Sequence, residues 1–215
     1  MNANAVTGFS EVNNALFDKA HLKNINEESI LHYTYKKNHF TDGTREDTID
    51  MVVTNLRNTG RKDTHFEFFT AENKRPYQDR DNQQGNGVFV FSLEFDVHEM
   101  ERLTGGDWRY FQRKIRWALA KGAKKIPVEF KHDDEMVKGF KYVIQPFIND
   151  PKNDRYSLYA NKYYIFTMSE DIPGEFYQMR TIVPDGKTWQ EGDAVLSEET
   201  VTFSGISALE CLHYP

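Results

Sequence analysis

The chain has 215 residues, which is enough for one large domain or two small ones with a sizeable core. Its formal net charge of −6 argues against a general nucleic-acid binder, and no apolar run approaches the roughly 18 residues of a membrane span. The single cysteine, Cys211, excludes an internal disulfide and a cysteine-based zinc cluster. With 16 Phe, 11 Tyr and 3 Trp, the composition favours pleated, half-buried strands.

The first 27 residues are polar and rich in asparagine, and Ala15–Phe17 with His21–Leu22 predicts a short anchoring turn among them. The segment lacks a basic stretch followed by an apolar core, which is the pattern of a signal peptide. Ala3-Asn4-Ala5, however, has the small-x-small form of a signal-peptidase site. Two interpretations stay open: a secreted chain whose signal peptide has been removed, or a chance match.

Three strands are predicted next, and they follow one another closely. The first covers Ile30 to Lys36, the second alternates from Ile49 to Val53, and the third carries Phe66 and Phe68. Asp42-Gly43 is a strong turn signal between the first two. Because such short connections cannot make a parallel crossover, we predict an antiparallel meander.

A long polar loop, residues 71–87, leads into a stretch rich in phenylalanine. Long loops of this kind are often functional. Beyond it the apolar residues alternate and predict a further strand over residues 88–95, carrying Phe89, Phe91, Leu93 and Phe95.

The spacing becomes helical at Asp96, where Asp96 and Glu99 form a D-x-x-E capping pattern. This predicts a helix over residues 96–104 that ends at Gly105-Gly106. Asp96, His98 and Glu99 would also suit a metal ion, but His98 and Glu99 lie about 100° apart on a helix and do not converge. The cap is therefore the preferred interpretation.

A second helix is predicted over residues 107–121, capped by Asp107. Its apolar stripe is Trp108, Phe111, Ile115 and Leu119, and Arg109, Arg113 and Arg116 lie on a different side. Residues 107–125 carry a local charge of +6, so the rest of the chain carries −12. This segregation indicates either a docking face for an anionic membrane or an acidic partner, or a solvated helix face balanced by an acidic sheet.

Strands return from residue 126 onward. The segment around Tyr163–Met168 is apolar on both faces, so it is expected to be central in the sheet, and the last predicted strand is Glu199–Phe203. We predict one domain over residues 28–204, preceded by the polar segment 1–27 and followed by a tail, 205–215.

No motif predicts catalysis. None of the seven histidines forms H-x-x-x-H or H-E-x-x-H, no G-x-S-x-G is present, and Gly85-x-Gly87 precedes its strand instead of following one. The sequence therefore predicts neither an enzyme nor a cofactor or metal site.

Aromatic residues on the strands form a large inward-facing set. They could fill a core, or they could line an apolar cavity under the helices of the kind that lipid-like ligands use. The predicted lining, from strands and helix together, is Tyr33, Tyr35, Phe66, Phe68, Phe89, Phe91, Tyr142, Tyr163, Trp108, Phe111 and Ile115.

Three blocks of sequence carry a resemblance: Leu16-Phe17 … His21-Leu22 with Leu31-His32-Tyr33-x-Tyr35, then Phe68-Phe69-Thr70 … Arg75-Pro76-Tyr77, then Asp96-Val97-x-Glu99-Met100-x-Arg102-Leu103-Thr104-Gly105-Gly106. They resemble a family of uncharacterised bacterial envelope proteins whose architecture is like that of the lipoprotein carriers LolA and LolB. The resemblance covers roughly residues 15–204 and implies a strongly bent antiparallel half-barrel, a periplasmic location and, for the carriers, acyl-chain binding. No functional residue carries over.

We therefore expect a mainly β (α+β) protein, a half-barrel with two helices across its concave face. The leading functional hypothesis is a non-enzymatic envelope protein that binds a hydrophobic or lipid-like ligand between sheet and helices. The alternative is a structural or interaction module that meets a protein partner through the basic residues Arg109, Arg113 and Arg116 and the 71–87 loop.

Overall fold

A computed structural model describes residues 10–209. Cys211 and Ala3-Asn4-Ala5 lie outside this range. Nine strands form one open sheet in the order β4-β3-β2-β1-β9-β8-β7-β6-β5, and every neighbouring pair is antiparallel. The strands are β1 (Ser29–His39), β2 (Gly43–Thr54), β3 (Lys62–Phe68), β4 (Arg80–Gln83), β5 (Lys124–His132), β6 (Glu135–Ile144), β7 (Tyr163–Met168), β8 (Phe176–Pro184) and β9 (Val195–Ala208).

Two long helices pack on this sheet, and short helical turns complete the chain. The N-terminal turn continues into one turn of π-helix, closed by a 3.0 Å hydrogen bond from Lys19 N–H to the Asn14 carbonyl. The α-helices are α1 (Glu11–Asn13), α2 (Val88–Thr104) and α3 (Trp108–Lys121); the π-helix is Asn14–Asp18; and 3-10 turns occupy His21–Asn24, Ala71–Asn73 and Asn153–Tyr159. Among the described residues, no helix combines the length and apolarity needed to cross a membrane.

The sheet is strongly bent around α2. In a flat sheet β3 and β7 would lie about 24 Å apart, which is five strand spacings. Yet the Phe91 ring of α2 stacks on Phe68 of β3 with centroids 3.4 Å apart, and Asp96 accepts a 2.6 Å hydrogen bond from Tyr164 of β7. Because Phe91 and Asp96 are only about 7.5 Å apart along the helix, the two wings of the sheet must curl toward it.

Strands β1 to β4 are the near wing of the sheet, and strands β5 to β9 are the far wing. The far wing is also curled on itself. Phe130 of β5 stacks on Tyr177 of β8 at 3.9 Å, and His132 lies 5.2 Å from Phe203 of β9, although three or four strand spacings separate these strands in the sheet. Register shifts in β1/β9, β7/β8 and β8/β9 supply the local bends. The predicted fold class is confirmed: the protein is mainly β, with one open, bent antiparallel sheet and helices packed on it.

The predicted strand over residues 88–95 is wrong, because this segment forms the first half of α2. A short apolar run cannot be assigned to helix or strand from periodicity alone. Here the buried helical face includes Ser92 and Asp96, two polar residues that break the apolar stripe in the sequence. The helix begins after Asn86, whose side-chain oxygen accepts a 3.0 Å hydrogen bond from the Val88 N–H.

The predicted cap at Asp96 is wrong for the same reason, since Asp96 lies in the middle of α2 and is 1% exposed. The end of this helix is as predicted, with Gly105 in the left-handed conformation at φ 69°. The cap at Asp107 is confirmed: its carboxylate accepts a 2.8 Å hydrogen bond from the Arg109 N–H.

The other predicted elements are observed with shifted ends. The three-stranded meander and the Asp42-Gly43 turn are confirmed, and β7 is an interior strand with neighbours on both sides. The polar 71–87 loop contains a 3-10 turn and the edge strand β4. The last strand, β9, extends to Ala208 and pairs with β1, which places the first and last strands side by side at the centre of the sheet.

Candidate functional site

The space between α2 and the near wing of the sheet is filled by aromatic rings. Phe68 and Phe91 stack, Tyr77 from the 71–87 loop packs edge-on against both, and Phe95 packs against Tyr35 and Phe69. Such ring pairs add to the free energy gained by burying their area. This side of the half-barrel is therefore packed as a core.

Most residues predicted to line a ligand cavity are buried in the hydrophobic core. Trp108 is half-buried against His98, and Tyr163 faces Trp189 on the opposite side of β7 from Tyr164. The predicted lining residues with 6% exposure or less are Tyr33, Tyr35, Phe66, Phe68, Phe89, Phe91, Phe111, Ile115 and Tyr142, the last of which also borders an open cleft.

A buried ion pair joins α2 to β7 in the middle of the half-barrel. Lys162, just before β7, donates to one oxygen of Asp96, and the Tyr164 hydroxyl donates to the other at 2.6 Å. The Asp96 and Lys162 side chains are 1% and 8% exposed. Since a buried charge is tolerated only when it is paired and hydrogen-bonded, this contact fixes α2 against the far wing. The sequence offered no signal for it, because the partners are 66 residues apart.

More charged groups surround this pair. Lys37 of β1 donates to Glu99 of α2 at 2.9 Å. Glu199 of β9 is the cross-strand partner of Lys37 and interacts electrostatically with Asp96, Lys162 and Glu99. Burial, and then the negative charge of Asp96, raise the pKa of the Glu199 carboxyl to about 7, against the opposing effects of Lys162 and Lys37. Perturbed pKa values mark functional sites or structural ion networks, and the pairing with α2 favours the structural role.

The far wing leaves an open cleft of about 670 Å³ between the N-terminal helical segment and strands β5 to β7. That volume lies in the range of small-molecule sites. Its apolar surface comes from both walls, and charges of both signs lie around it. The apolar lining is Ala15, Pro127, Val128, Phe140, Tyr142 and Met168, and the charged lining is Lys19, Lys125, Lys138, Glu129, Glu170, Asp171 and Glu175.

One wall of this cleft is held in place by ion pairs. Lys19, at the end of the π-helical turn, lies 2.5 Å from Glu170 and 2.6 Å from the buried Glu175. On the other wall, the Lys125 ammonium lies 3.9 Å from the centre of the Phe140 ring, which is 42% exposed. The cleft is thus preformed, with small Ala15 facing a partly exposed aromatic floor.

Helix α3 presents its basic side to solvent, as predicted. Arg109, Arg113 and Arg116 are exposed, and Trp117 beside them is 54% exposed. Within residues 10–209, Arg113 and Arg116 form no ion pair, and Arg109 reaches Asp107 only at 4.0 Å. The arginine side chains of this helix face are therefore solvated.

No group of three or more His, Cys, Asp or Glu side chains within residues 10–209 is placed to hold a metal ion. His32 of β1 and His65 of β3, which are separated by β2, each pair with a carboxylate: His32 with Asp50 at 2.8 Å and His65 with Asp79 at 2.6 Å.

No family model and no curated protein matches this chain. It is similar to the crystal structure of MucB, with a TM-score of 0.37 and 8% sequence identity over 88% of this chain and 56% of that one. It is similar to MucB in complex with MucA(peri) with a TM-score of 0.39 and 10% identity over 93% of this chain and 56% of that one. It is also similar to the Mycobacterium tuberculosis lipoprotein LppX, with a TM-score of 0.30 and 6% identity over 81% of this chain and 84% of that one. The chain spans little more than half the length of the MucB chains, and no function is carried from these proteins to this one.

Proposed function

We propose that this protein is a non-enzymatic binding protein of the bacterial envelope that holds a hydrophobic or lipid-like ligand in the cleft of the far wing. The observation that carries the proposal is the preformed cleft of about 670 Å³. It differs from the predicted site, because the ligand lies beside the sheet edge and not beneath α2. The periplasmic location rests on the family resemblance alone.

The composition of the cleft supports a ligand with an apolar body and a polar end. Val128, Phe140 and Met168 offer apolar contact, while the lysines and carboxylates around them can receive a polar group of either sign. A few polar groups around an apolar floor are typical of small-molecule sites.

Binding of the fluorescent apolar probe N-phenyl-1-naphthylamine tests the proposal. Val128→Trp and Ala15→Trp each fill the cleft from one wall, and each should weaken probe binding roughly tenfold or more, as expected for a loss of about 1.4 kcal/mol of contact. Ile206→Trp is the matched control, because Ile206 is an exposed strand residue that does not line the cleft.

Unchanged probe affinity in both cleft variants, with a folded protein, would exclude this site. Mass spectrometry of an organic extract of the wild-type protein then gives the chemical class of any ligand that co-purifies.

A second candidate function is an interaction module that docks through α3. The observation that favours it is the exposed arginine face, on which Arg113 and Arg116 form no ion pair among the described residues. Reversing Arg109, Arg113 and Arg116 to Glu should abolish docking while the far-ultraviolet circular dichroism stays that of the wild type. Docking that survives the triple reversal would rule this candidate out.

A further inference from the structure

Beside the first turn of α3 lies a pocket of about 360 Å³ that the cleft proposal does not use. Arg113 of α3 lines it together with Lys152 and Arg155 from the loop after β6, and all three are exposed. Among its lining residues Asp107 is the one acidic residue, and its carboxylate accepts a hydrogen bond from the Arg109 N–H. The pocket is therefore a cationic recess of the size of a small polar group.

The loop that supplies two of these cations is fixed to α3. Asp150 is buried and accepts hydrogen bonds of 2.6 and 2.7 Å from the Tyr110 hydroxyl, and Lys114 lies 2.8 Å from it. Burial opposes its ionisation, but the contacts from Lys114 and Tyr110 hold the pKa of Asp150 at about 2. Asp150 also accepts a 2.8 Å hydrogen bond from the Lys152 N–H, and the Lys152 ammonium lies 4.9 Å from the centre of the Tyr110 ring.

The surface around the pocket is basic and carries exposed apolar side chains. Trp117 is 54% exposed, and the Arg113 guanidinium lies 6.0 Å from its ring. On its other flank α3 borders an apolar groove of about 320 Å³ shared with α2, where Arg116 stands at the edge and Phe17 is 40% exposed. Tryptophan among arginines, beside apolar surface, is typical of protein surfaces that lie against the headgroup region of a bilayer.

We propose that the basic face of α3, with the pocket of Arg113, Lys152 and Arg155, docks on an anionic phospholipid surface and takes one lipid headgroup into that pocket. This deepens the second candidate function by naming its partner, and it does not depend on the cleft. Charge segregation supplies the orientation, because the +6 segment 107–125 is attracted to an anionic surface while the remaining −12 is repelled. The apolar stripe of α3 packs inward, so the helix docks without inserting.

Co-sedimentation of the full chain with vesicles tests this proposal. We expect binding to phosphatidylcholine vesicles that contain phosphatidylglycerol, no binding to phosphatidylcholine alone, and loss of binding at high salt. The variant Arg113→Gln/Lys152→Gln/Arg155→Gln should bind roughly 100-fold more weakly, because each cation near an anionic surface contributes about fivefold.

The matched control is Lys36→Gln/Lys74→Gln/Lys131→Gln. It changes the net charge by the same amount, but its lysines are exposed residues that lie in ion pairs with Glu46, Glu67 and Asp134. The control should bind within about twofold of the wild type. An equal loss of vesicle binding in both triple variants would mean that only net charge matters, and it would contradict headgroup binding in the pocket.

Tryptophan fluorescence gives a second readout. Vesicles should shift the emission of the wild type to the blue, and Trp117→Phe should remove most of that shift because Trp117 leaves water on docking. An unchanged blue shift of the emission in Trp117→Phe would contradict the contact of Trp117 with the vesicle surface. Polyglutamate serves as a model of an acidic protein partner. Binding to polyglutamate but not to vesicles would support docking through α3 and contradict the lipid partner. Binding to neither would contradict both the lipid partner and docking through α3.

Discussion

The two wings of the bent sheet are packed in different ways. On the near wing, α2 and strands β1 to β3 send long aromatic side chains toward each other, and Phe68 and Phe91 stack with centroids 3.4 Å apart. On the far wing, the N-terminal segment presents Ala15 toward the cleft. Because the Ala15 side chain is small, the space between it and strands β5 and β6 stays open. On the near wing the corresponding space is filled by aromatic rings.

Truncating a ring on each wing tests this contrast most directly. Phe91→Ala should lower the free energy of unfolding by about 4 kcal/mol, because it removes a buried ring from a packed cluster. Phe140→Ala should lower it by less than about 1 kcal/mol, since that ring is 42% exposed at the cleft. Urea-induced unfolding measures both values, and equal losses would mean that the two wings are packed alike.

The ion pair between α2 and the far wing is the next largest expected effect. Lys162→Met leaves the buried Asp96 carboxylate without its cation and should cost about 3 kcal/mol. Adding Asp96→Asn should recover much of this loss, because the amide oxygen still accepts from Tyr164 while no charge remains. Thermal or urea unfolding of the two variants gives the difference. Additive losses would show that the two residues act independently.

The Glu199 carboxyl predicts a pH dependence at the junction of the wings. Its pKa is raised from 4.5 to about 7 in the folded protein, mainly by burial, so the folded state binds more protons than the unfolded state between these values. Its contribution to stability is complete below pH 4.5 and is lost as the pH rises through 7. Between pH 5 and 8, the free energy of unfolding should fall by about 2 kcal/mol more in the wild type than in Glu199→Gln.

Comparing the pH dependence of the wild type with that of Glu199→Gln separates the effect of Glu199 from that of other titrating groups. His21 and His39 have pKa values lowered chiefly by burial, so they change stability in the opposite direction, but they are common to both proteins. Asp96, Lys162, Lys37 and Glu99, which face Glu199, are also unchanged. The same pH slope in both proteins would refute a raised pKa at Glu199.

The smallest expected effect concerns the start of α3, which lies over the far wing. Asp107→Ala removes the acceptor for the Arg109 N–H and should cost about 1 kcal/mol. Asp107→Asn keeps an acceptor oxygen and should remain within about 0.5 kcal/mol of the wild type. If both variants lose the same stability, the effect comes from the charge of Asp107 at the helix end and not from the hydrogen bond.

Local signals predicted the near strands and α3 correctly. Asp42-Gly43 gave the first hairpin, Asp107 gave the start of α3, and the spacing of Phe111, Ile115 and Leu119 gave its buried face, each 3% exposed or less. These features depend on contacts between residues that are close in sequence, so they can be predicted from the sequence alone.

The sequence pattern predicts the wrong start for α2, because the buried face of this helix includes Ser92 and Asp96. Ser92 is satisfied within the helix by donating to the Val88 carbonyl at 2.8 Å, but Asp96 requires Lys162 and Tyr164 from a distant strand. A carboxylate on the inner face of a helix becomes tolerable only once its partner is in place. Pattern alone therefore favoured an exposed cap over a buried ion pair.

The sequence by itself determined the class of the protein, the antiparallel meander and the basic face of α3, because alternation, turn residues and helical spacing act over short range. Only the tertiary structure decided the central pairing of β1 with β9, the packing of the predicted lining residues and the position of the cleft. The cleft walls come from the N-terminal turn, the β5–β6 hairpin and the end of β7. Their spacing depends on how far the sheet bends, and that bend is set by side chains that meet across the whole chain.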